Sequence, residues 1–351
     1  MSQSMKLRDY ILRRILLLIP VLIGVTLITF VLSNIVVDPV VGYVHNEKQL
    51  SDPNIVRAIR KKYHLDDPIY IRYLYYIWFL LQGDWGYSRS AAMPVTEALA
   101  TKFAATAELT IVAMLIAIPT GIVLGIVSAV KKDKIADHVS RLIALSGVSI
   151  PVFWLALMMQ YAFYYYPRTA GLPYLPNVQR VDTVIALTHD ITFYTGFYLI
   201  DSLLNGDLIF FFSALEHIIL PAVTLSYATM GLILRMTRSS MLEVLRQDYM
   251  MLARAKGLPE KVVLYKHALR NALIPTVTVA GLAVAGLLTG AVLTETIFAW
   301  PGLGRFAVRC IFTNDIAGIM GFTILVALVY TLSNLVVDVM YGYLDPRIRL
   351  G

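Results

Sequence analysis

Uncharged, strongly apolar runs recur along the chain, separated by polar segments. Six of them, residues 15–37, 109–130, 142–167, 218–234, 272–294 and 316–337, reach or approach the length that crosses a hydrocarbon core. That length is about 20 residues, with a lower limit near 17. The pattern predicts an all-α membrane protein with six transmembrane helices. The first run exceeds a signal-peptide core, and no small-x-small cleavage site precedes Asp38, so it reads as an uncleaved span.

The polar segments set the expected orientation, because Lys and Arg concentrate on the cytoplasmic side. With the N-terminus inside, the inner segments hold 18 Lys/Arg against 8 Asp/Glu, a balance of +10. The outer ones hold 12 against 15, a balance of −3. Both termini are then cytoplasmic. The chain divides into a tail and first span (1–37), an outer interfacial segment (38–108), and a five-span core (109–351). That core carries an outer insert at 168–217 and a cytoplasmic loop at 235–275. In the outer segment Asp66-Asp67-Pro68 reads as a helix start, an acidic cap followed by Pro in the first turn. The aromatic stretch after it predicts a helix lying at the outer interface. The insert has two short apolar pieces, 191–200 and 208–215, too short to span and expected to be re-entrant or interfacial.

The loop at 235–275 is too long and too regular for a turn between spans, and it carries eight Lys/Arg against three Asp/Glu. Apolar residues at helical spacing, Met241, Leu242, Leu245, Tyr249, Leu252 and Ala253, predict a helix through 241–256. Gly257 ends it at a left-handed C′ position. Pro259 is expected in the first turn of a second helix, with Glu260 at the positive end of its dipole. The result is a helix–Gly–helix elbow shaped for another protein to grip.

Ala253-Arg254-Ala255-Lys256-Gly257, with His267-Ala268-Leu269-Arg270-Asn271 after it, resembles the cytoplasmic coupling loop of ABC-importer permeases. The variant is that of the first permease subunit in the oligopeptide/dipeptide branch. The general loop has Glu-Ala-Ala, three residues, Gly, nine residues, then Ile-x-Leu-Pro. This chain has Met251 at the Glu, Leu252 at the first Ala, His267 at the Ile and Arg270 at the Pro, departures that the oligopeptide branch shares. The likeness extends through Gln82-Gly83-Asp84, Asp201-Ser202-Leu203-Leu204, Trp300-Pro301-Gly302-Leu303-Gly304 and Asn334, Asp338 and Asp345-Pro346-Arg347. It implies a type I importer permease with a small outer domain after its first span. It implies as partners a second homologous permease, two cytoplasmic ATPase subunits and an extracytoplasmic solute-binding protein. ATP and Mg would be held in the ATPase subunits, with no cofactor in this chain. Tyr249, Ala253, Arg254, Ala255, Lys256, Gly257 and Leu258 are the expected ATPase-coupling residues, Ala253 and Ala255 being small where the partner approaches.

Other residues are candidates from position alone. Glu295, at the outer end of the fifth run before a Trp-Pro-Gly turn, suits bracing that turn or lining the path. Asp338, near the inner end of the last run, suits pairing with an elbow Arg or sitting at headgroup level. Gln160 and the Tyr-rich stretch 161–166 suit an interfacial aromatic belt or solute contact. Gly281, Gly286 and Gly290 leave a flat face on the fifth run for helix contact or the pore. Cys310 is expected in an outer loop, open to an impermeant maleimide.

Composition narrows the class further. The 351-residue chain is 58% hydrophobic and 15% charged, with a mean hydropathy of +0.68, well outside the soluble range. Its net charge of +7 follows from topology, with no basic-aromatic module for nucleic acid. A single cysteine excludes an intrachain disulfide and a Cys-based metal cluster. No G-x-x-x-x-G-K-[ST] loop is present, so ATP belongs to other chains. The expected function is therefore not enzymatic. It is solute import by alternating access, with oligopeptide or dipeptide cargo first and oligosaccharide second, the latter because clustered tyrosines also suit sugar rings. An ion-coupled secondary transporter is a further alternative; it would need ionisable groups at mid-span, which the six runs lack, or coordination of the ion by backbone. An intramembrane protease would need a Ser facing a His at depth, and nothing marks Ser149 and His217 as such a pair.

Overall fold

The structure is a computed structural model and describes residues 7–36, 38–45, 47–288 and 291–344. Helix α1 (Leu7–Val36) carries the first apolar run, of which Ile15–Val31 sits at the lower limit for crossing. Leu16, Leu17 and Ile28 on it are more than half exposed, a condition that lipid satisfies. A 3₁₀ turn (Pro39–Gly42), α2 (Glu47–Leu50), α3 (Pro53–Lys62) and α4 (Ile69–Leu81) follow. Asp52 caps α3 by accepting the Asn54 N–H at 2.9 Å. Asp66 and Asp67 do not cap α4, contrary to the sequence expectation. Opposite charge draws them back toward the end of α3, Asp66 to Arg60 and Asp67 to His64, each at 2.9 Å. Pro68 itself stands at the N-cap. Tyr70, Leu74, Trp78 and Leu81 form one exposed apolar stripe on α4.

A hairpin of β1 (Tyr87–Ser88) and β2 (Met93–Pro94), with Tyr87 opposite Pro94, leads into α5 (Val95–Val130), 36 residues long. The apolar run at 109–130 is only its later part. Val95, Ala98 and Leu99 extend the helix outward because they bury against Leu303, Phe306 and Ala317. Next come α6 (Ile135–Ser149), α7 (Val152–Gln160), a π turn (Tyr161–Tyr165) and α8 (Tyr166–Thr169). The run at 142–167 is thus not a straight span. The chain bends by 105° between α6 and α7. Pro151 disfavours a helical residue before it, and Ile150 is extended at ψ 123°.

Helices α9 (Thr183–Thr188) and α10 (Tyr198–Leu204) occupy the insert. Then α11 (Leu208–Val244) runs for 37 residues. The apolar piece 208–215 is its first turns and no separate interfacial helix, because the intervening Glu216 and His217 are tolerated inside one long helix. The chain continues through α12 (Asp248–Ala255), α13 (Glu260–Val262), a second π turn (Val263–Ala268), α14 (Leu269–Leu288), α15 (Val292–Ile297), α16 (Leu303–Phe312) and α17 (Ile316–Leu344). The fifth span is Glu260–Leu288, shifted toward the elbow relative to the run at 272–294.

Among the described residues four helices are long and apolar enough to cross a membrane, Val95–Val130, Leu208–Val244, Glu260–Leu288 and Ile316–Val337, and the bent pair can supply a fifth crossing. Helix α11 is the centre of the bundle, lying along α5 and flanked by α6 and α14; α17 joins α14 to α1. Contact of α5 with α11 is close because Gly125 has no side chain. A Cβ there would stand 2.6 Å from the Thr237 Cβ.

Candidate coupling elbow and transport path

The elbow is built by a break after α11. Helix α12 ends in a Schellman arrangement: the Gly257 N–H donates to the Arg254 carbonyl at 2.9 Å, and the Leu258 N–H to the Ala253 carbonyl at 3.4 Å. Gly257 has φ +72°, the left-handed region that glycine enters without penalty. Pro259 is the N-cap of α13, one position earlier than the sequence suggested, and Glu260 is its first helical residue. Arg254 bonds Glu260 at 3.0 Å across the bend, so this charge is used within the elbow.

One face of α12 is anchored. Met250 and Ala253 are buried with Met241, Val263, Ala268 and Ala272. The Tyr249 hydroxyl accepts from Asn271 Nδ2 at 3.0 Å, tying α12 to the start of α14. Ala253 is therefore not where a partner approaches; it is small because α12 must lie close to its own chain. Ala255, Lys256, Gly257 and Leu258 are exposed. Beside them stand Met251 and Leu252, 58% and 57% exposed. These two complete an apolar outer face: Met251 stood in the sequence only as a departure from the loop pattern, and Leu252, expected on the apolar stripe with Ala253, faces outward instead. The available signal was the 3.6 period itself, since 251 and 252 lie off the stripe that buries 250 and 253.

A second construction lies just before the elbow. Asp137 at the start of α6 is fully buried and accepts from Arg238 of α11 at 2.8 and 3.0 Å, from Ser128 of α5 at 2.6 Å, and from the Asp133 N–H at 3.0 Å. Three helices are thereby joined where α11 turns into the elbow. Sequence reading missed this clamp because its members are 101 and nine residues apart and follow no motif.

At the far end, Glu295 is fully buried. It accepts from Thr106 Oγ1 at 2.6 Å and from the Arg305 N–H at 3.0 Å. Thr106 in turn accepts the Leu303 N–H at 2.8 Å, and the Trp300 indole donates to the Ala105 carbonyl at 2.9 Å. Glu295 holds the 300–304 turn onto α5, which places it within the packed wall and away from open space. Gln160 donates to the carbonyls of Asn177 and Ile297, each at 3.1 Å, and so fastens the insert to α15. The insert is further fixed by a buried pair, Arg180 with Glu108 at 2.5 Å, the Arg180 guanidinium standing 3.6 Å over the Tyr198 ring. Such a pair is tolerable when other bonds satisfy it; the Leu199 N–H supplies one at 2.8 Å.

The remaining candidates separate. Gly281 packs on Val337, where a Cβ would stand 2.7 Å from its Cγ2, so it serves contact within the chain. A Cβ at Gly286 would meet nothing within 4 Å. Gly290 and the Asp338 side chain lie outside the described residues. Cys310 is buried without exposure, and burial pushes its thiol up to about 12. The expected maleimide reactivity does not fit that environment. Among the described residues no hydrogen bond joins Ser149 to His217, whose Nδ1 is engaged with the Ser213 carbonyl at 2.7 Å.

A helical bundle of membrane-crossing length with a braced elbow at one end has the build of a membrane permease subunit. Residues 121–350 match the family described as binding-protein-dependent transport system inner membrane component. The chain is 43% identical over 334 residues to a probable D,D-dipeptide transport system permease protein of Escherichia coli K12, covering 95% of each. It is 42% identical over 340 residues to a dipeptide transport system permease protein of Alkalihalophilus pseudofirmus, covering 97% of this chain and 99% of that one. A glutathione transport system permease protein of Salmonella choleraesuis is 34% identical over 341 residues, with 97% and 99% covered. The chain belongs to this inner-membrane permease family. It is a multi-pass permease subunit of an ATP-driven importer, with ATP hydrolysis residing in separate subunits.

Proposed function

We propose that this subunit forms one half of the membrane pore of a dipeptide importer. The observation that carries the cargo is the 42–43% identity, over 95–97% of the chain, to permeases named for dipeptides. In this reading both termini and the elbow face the cytoplasm, as the charge balance favours. A second permease completes the pore, two ATPase subunits holding ATP and Mg grip the elbows, and an outer binding protein delivers the peptide. The exposed face of α12, Met251, Leu252 and Leu258 with Lys256 beside it, is the surface offered to an ATPase cleft. Closure of the ATPases on ATP pulls on α12. The pull passes through Met250 and Ala253 into α14 and through the Asp137–Arg238 clamp into α5 and α6. The spans then rock between inward-open and outward-open states.

Two measurements test the reading. Mass-spectrometric composition of the purified complex is expected to show a second permease and two ATPase chains. Calorimetric titration of the cognate binding protein is expected to give micromolar binding of dipeptides. Binding of oligosaccharides with none of peptides would refute the cargo and leave the importer class standing.

A further inference from the structure

A cavity of about 820 Å³ lies among α8, α9 and the first turns of α11. That is within the roughly 300–1,000 Å³ of pockets that take small ligands. Tyr164, Arg168, Tyr174, Gln179, Glu216 and His217 are among its walls. We propose that this cavity receives the incoming peptide as a zwitterion, Arg168 taking the carboxylate and Glu216 the ammonium group. The proposal rests on the dipeptide reading and on the outward orientation of the insert.

The charges carry the argument. Arg168 stands over the rings of Tyr164 and Tyr174, 5.4 and 5.8 Å from their centroids, and donates to the Tyr164 hydroxyl. Among the described residues neither Arg168 nor Glu216 has an ion-pair partner, and they are not paired with each other. The third charged wall residue, Asp182, is already used: it caps α9 by accepting from Val184 at 2.8 Å. One cavity therefore presents one cation without an ion-pair partner, on α8, and, besides the helix-capping Asp182, one such anion, on α11. A short peptide has that charge pattern at its two ends, whereas a neutral sugar has neither.

A further polar residue of the wall suits the peptide unit. His217 is 9% exposed, and its Nδ1–H donates to the Ser213 carbonyl at 2.7 Å. That tautomer leaves Nε2 as an acceptor for a peptide N–H. One aromatic of the wall, Tyr164, comes from the π turn Tyr161–Tyr165, a widened turn of a kind that recurs at functional sites. Arg168 matches a carboxylate better than Lys would, because its planar fork binds both oxygens.

The test uses the whole transporter in nanodiscs, without the binding protein, and saturation-transfer NMR with Ala-Ala, N-acetyl-Ala-Ala and Ala-Ala-amide. The native complex is expected to prefer free Ala-Ala by about ten- to a hundredfold over each blocked form, the range of a hydrogen bond to a charged group. Arg168→Gln should remove the preference over the amide alone, and Glu216→Gln the preference over the acetylated form alone. Arg168→Lys should keep part of the former, and size-exclusion chromatography with subunit mass spectrometry checks assembly of each variant. Terminal-group preferences equal to native in both Gln variants would overturn the proposal. So would a raised KM for the binding protein with those preferences intact, which would make the cavity a docking surface. Absence of dipeptide uptake by native proteoliposomes supplied with binding protein would instead sink the dipeptide reading itself.

Discussion

At Gly257 the constraint is the backbone angle, since an added Cβ would meet nothing within 4 Å in this chain. A non-glycine residue in the left-handed region costs about 1–2 kcal/mol. Gly257→Ala is expected to loosen the elbow and lower binding-protein-stimulated ATP turnover in part. Gly257→Arg adds bulk on the exposed face and is expected to abolish uptake while the spans still insert. Both are read by paired ATPase and uptake assays in proteoliposomes, and normal uptake by the Arg variant would show that the elbow does not transmit. Cys310 makes the second case at this scale. Its Sγ lies 3.2 Å from Ser90 Oγ and 3.8 Å from Asp315 Oδ2, enclosed by α16 and α17. Native membranes are expected to show no maleimide labelling from either side, with one thiol appearing after denaturation, by mass shift. Orientation is better read from Leu187→Cys in a Cys310→Ser background, because Leu187 is 82% exposed on the insert. Labelling of that residue from the cytoplasmic side alone would reverse the topology.

The insert between α8 and α11 is expected to be sensitive to acid. Asp207 accepts the Phe210 N–H at 2.9 Å and is paired with His189 at 2.5 Å. The Phe210 bond first, and His189 second, hold its carboxyl below the ordinary 3.8. A depressed carboxylate contributes stability above its unfolded value and loses it as pH falls through the folded one. The start of α11 should therefore fray below about pH 4, a loss that Asp207→Asn removes from the profile. Amide exchange across 205–212, measured from pH 6 to pH 3, checks it; native exchange that is flat with pH would contradict it. How legible such elements were depended on range. The apolar runs announced α5, α11, α14 and α17, and Gly257 announced the end of α12, because period and turn chemistry are local. The start of α5 was hidden, since what extends it is tertiary packing of Val95 and Leu99 on α16, and the start of α11 likewise rests on Phe210 packing against Val181 and Ile191. The Asp137–Arg238 clamp and the Glu295–Thr106 brace were hidden for the same reason. Glu295 was visible as a carboxylate beside a turn, but its partner is 189 residues away. The α6–α7 bend was written locally in Pro151 and overlooked, because an uninterrupted apolar run hides a proline.

Taken whole, the molecule hangs its helices on α11, which touches α5, α6, α7, α10 and α14. The bend at Pro151 has a consequence for biogenesis that follows from this. Helix α6 has 15 residues, about 22 Å at 1.5 Å each, short of the roughly 30 Å of a hydrocarbon core. A segment that short gains too little from lipid to partition stably on its own. It touches α5 near Asp137, but its larger packing face is on α11, where Gly147 and Gly231 let the backbones meet and a Cβ at Gly147 would stand 2.9 Å from the Tyr227 carbonyl. Yet α11 leaves the ribosome after it. The nascent chain must therefore hold α6 at the insertion site, or leave it exposed, until α11 arrives. A chain ending at residue 207 is expected to leave 135–169 open to protease in inverted vesicles, and one ending at residue 260 to protect it. Equal protection in both would mean that α6 and α7 insert without waiting.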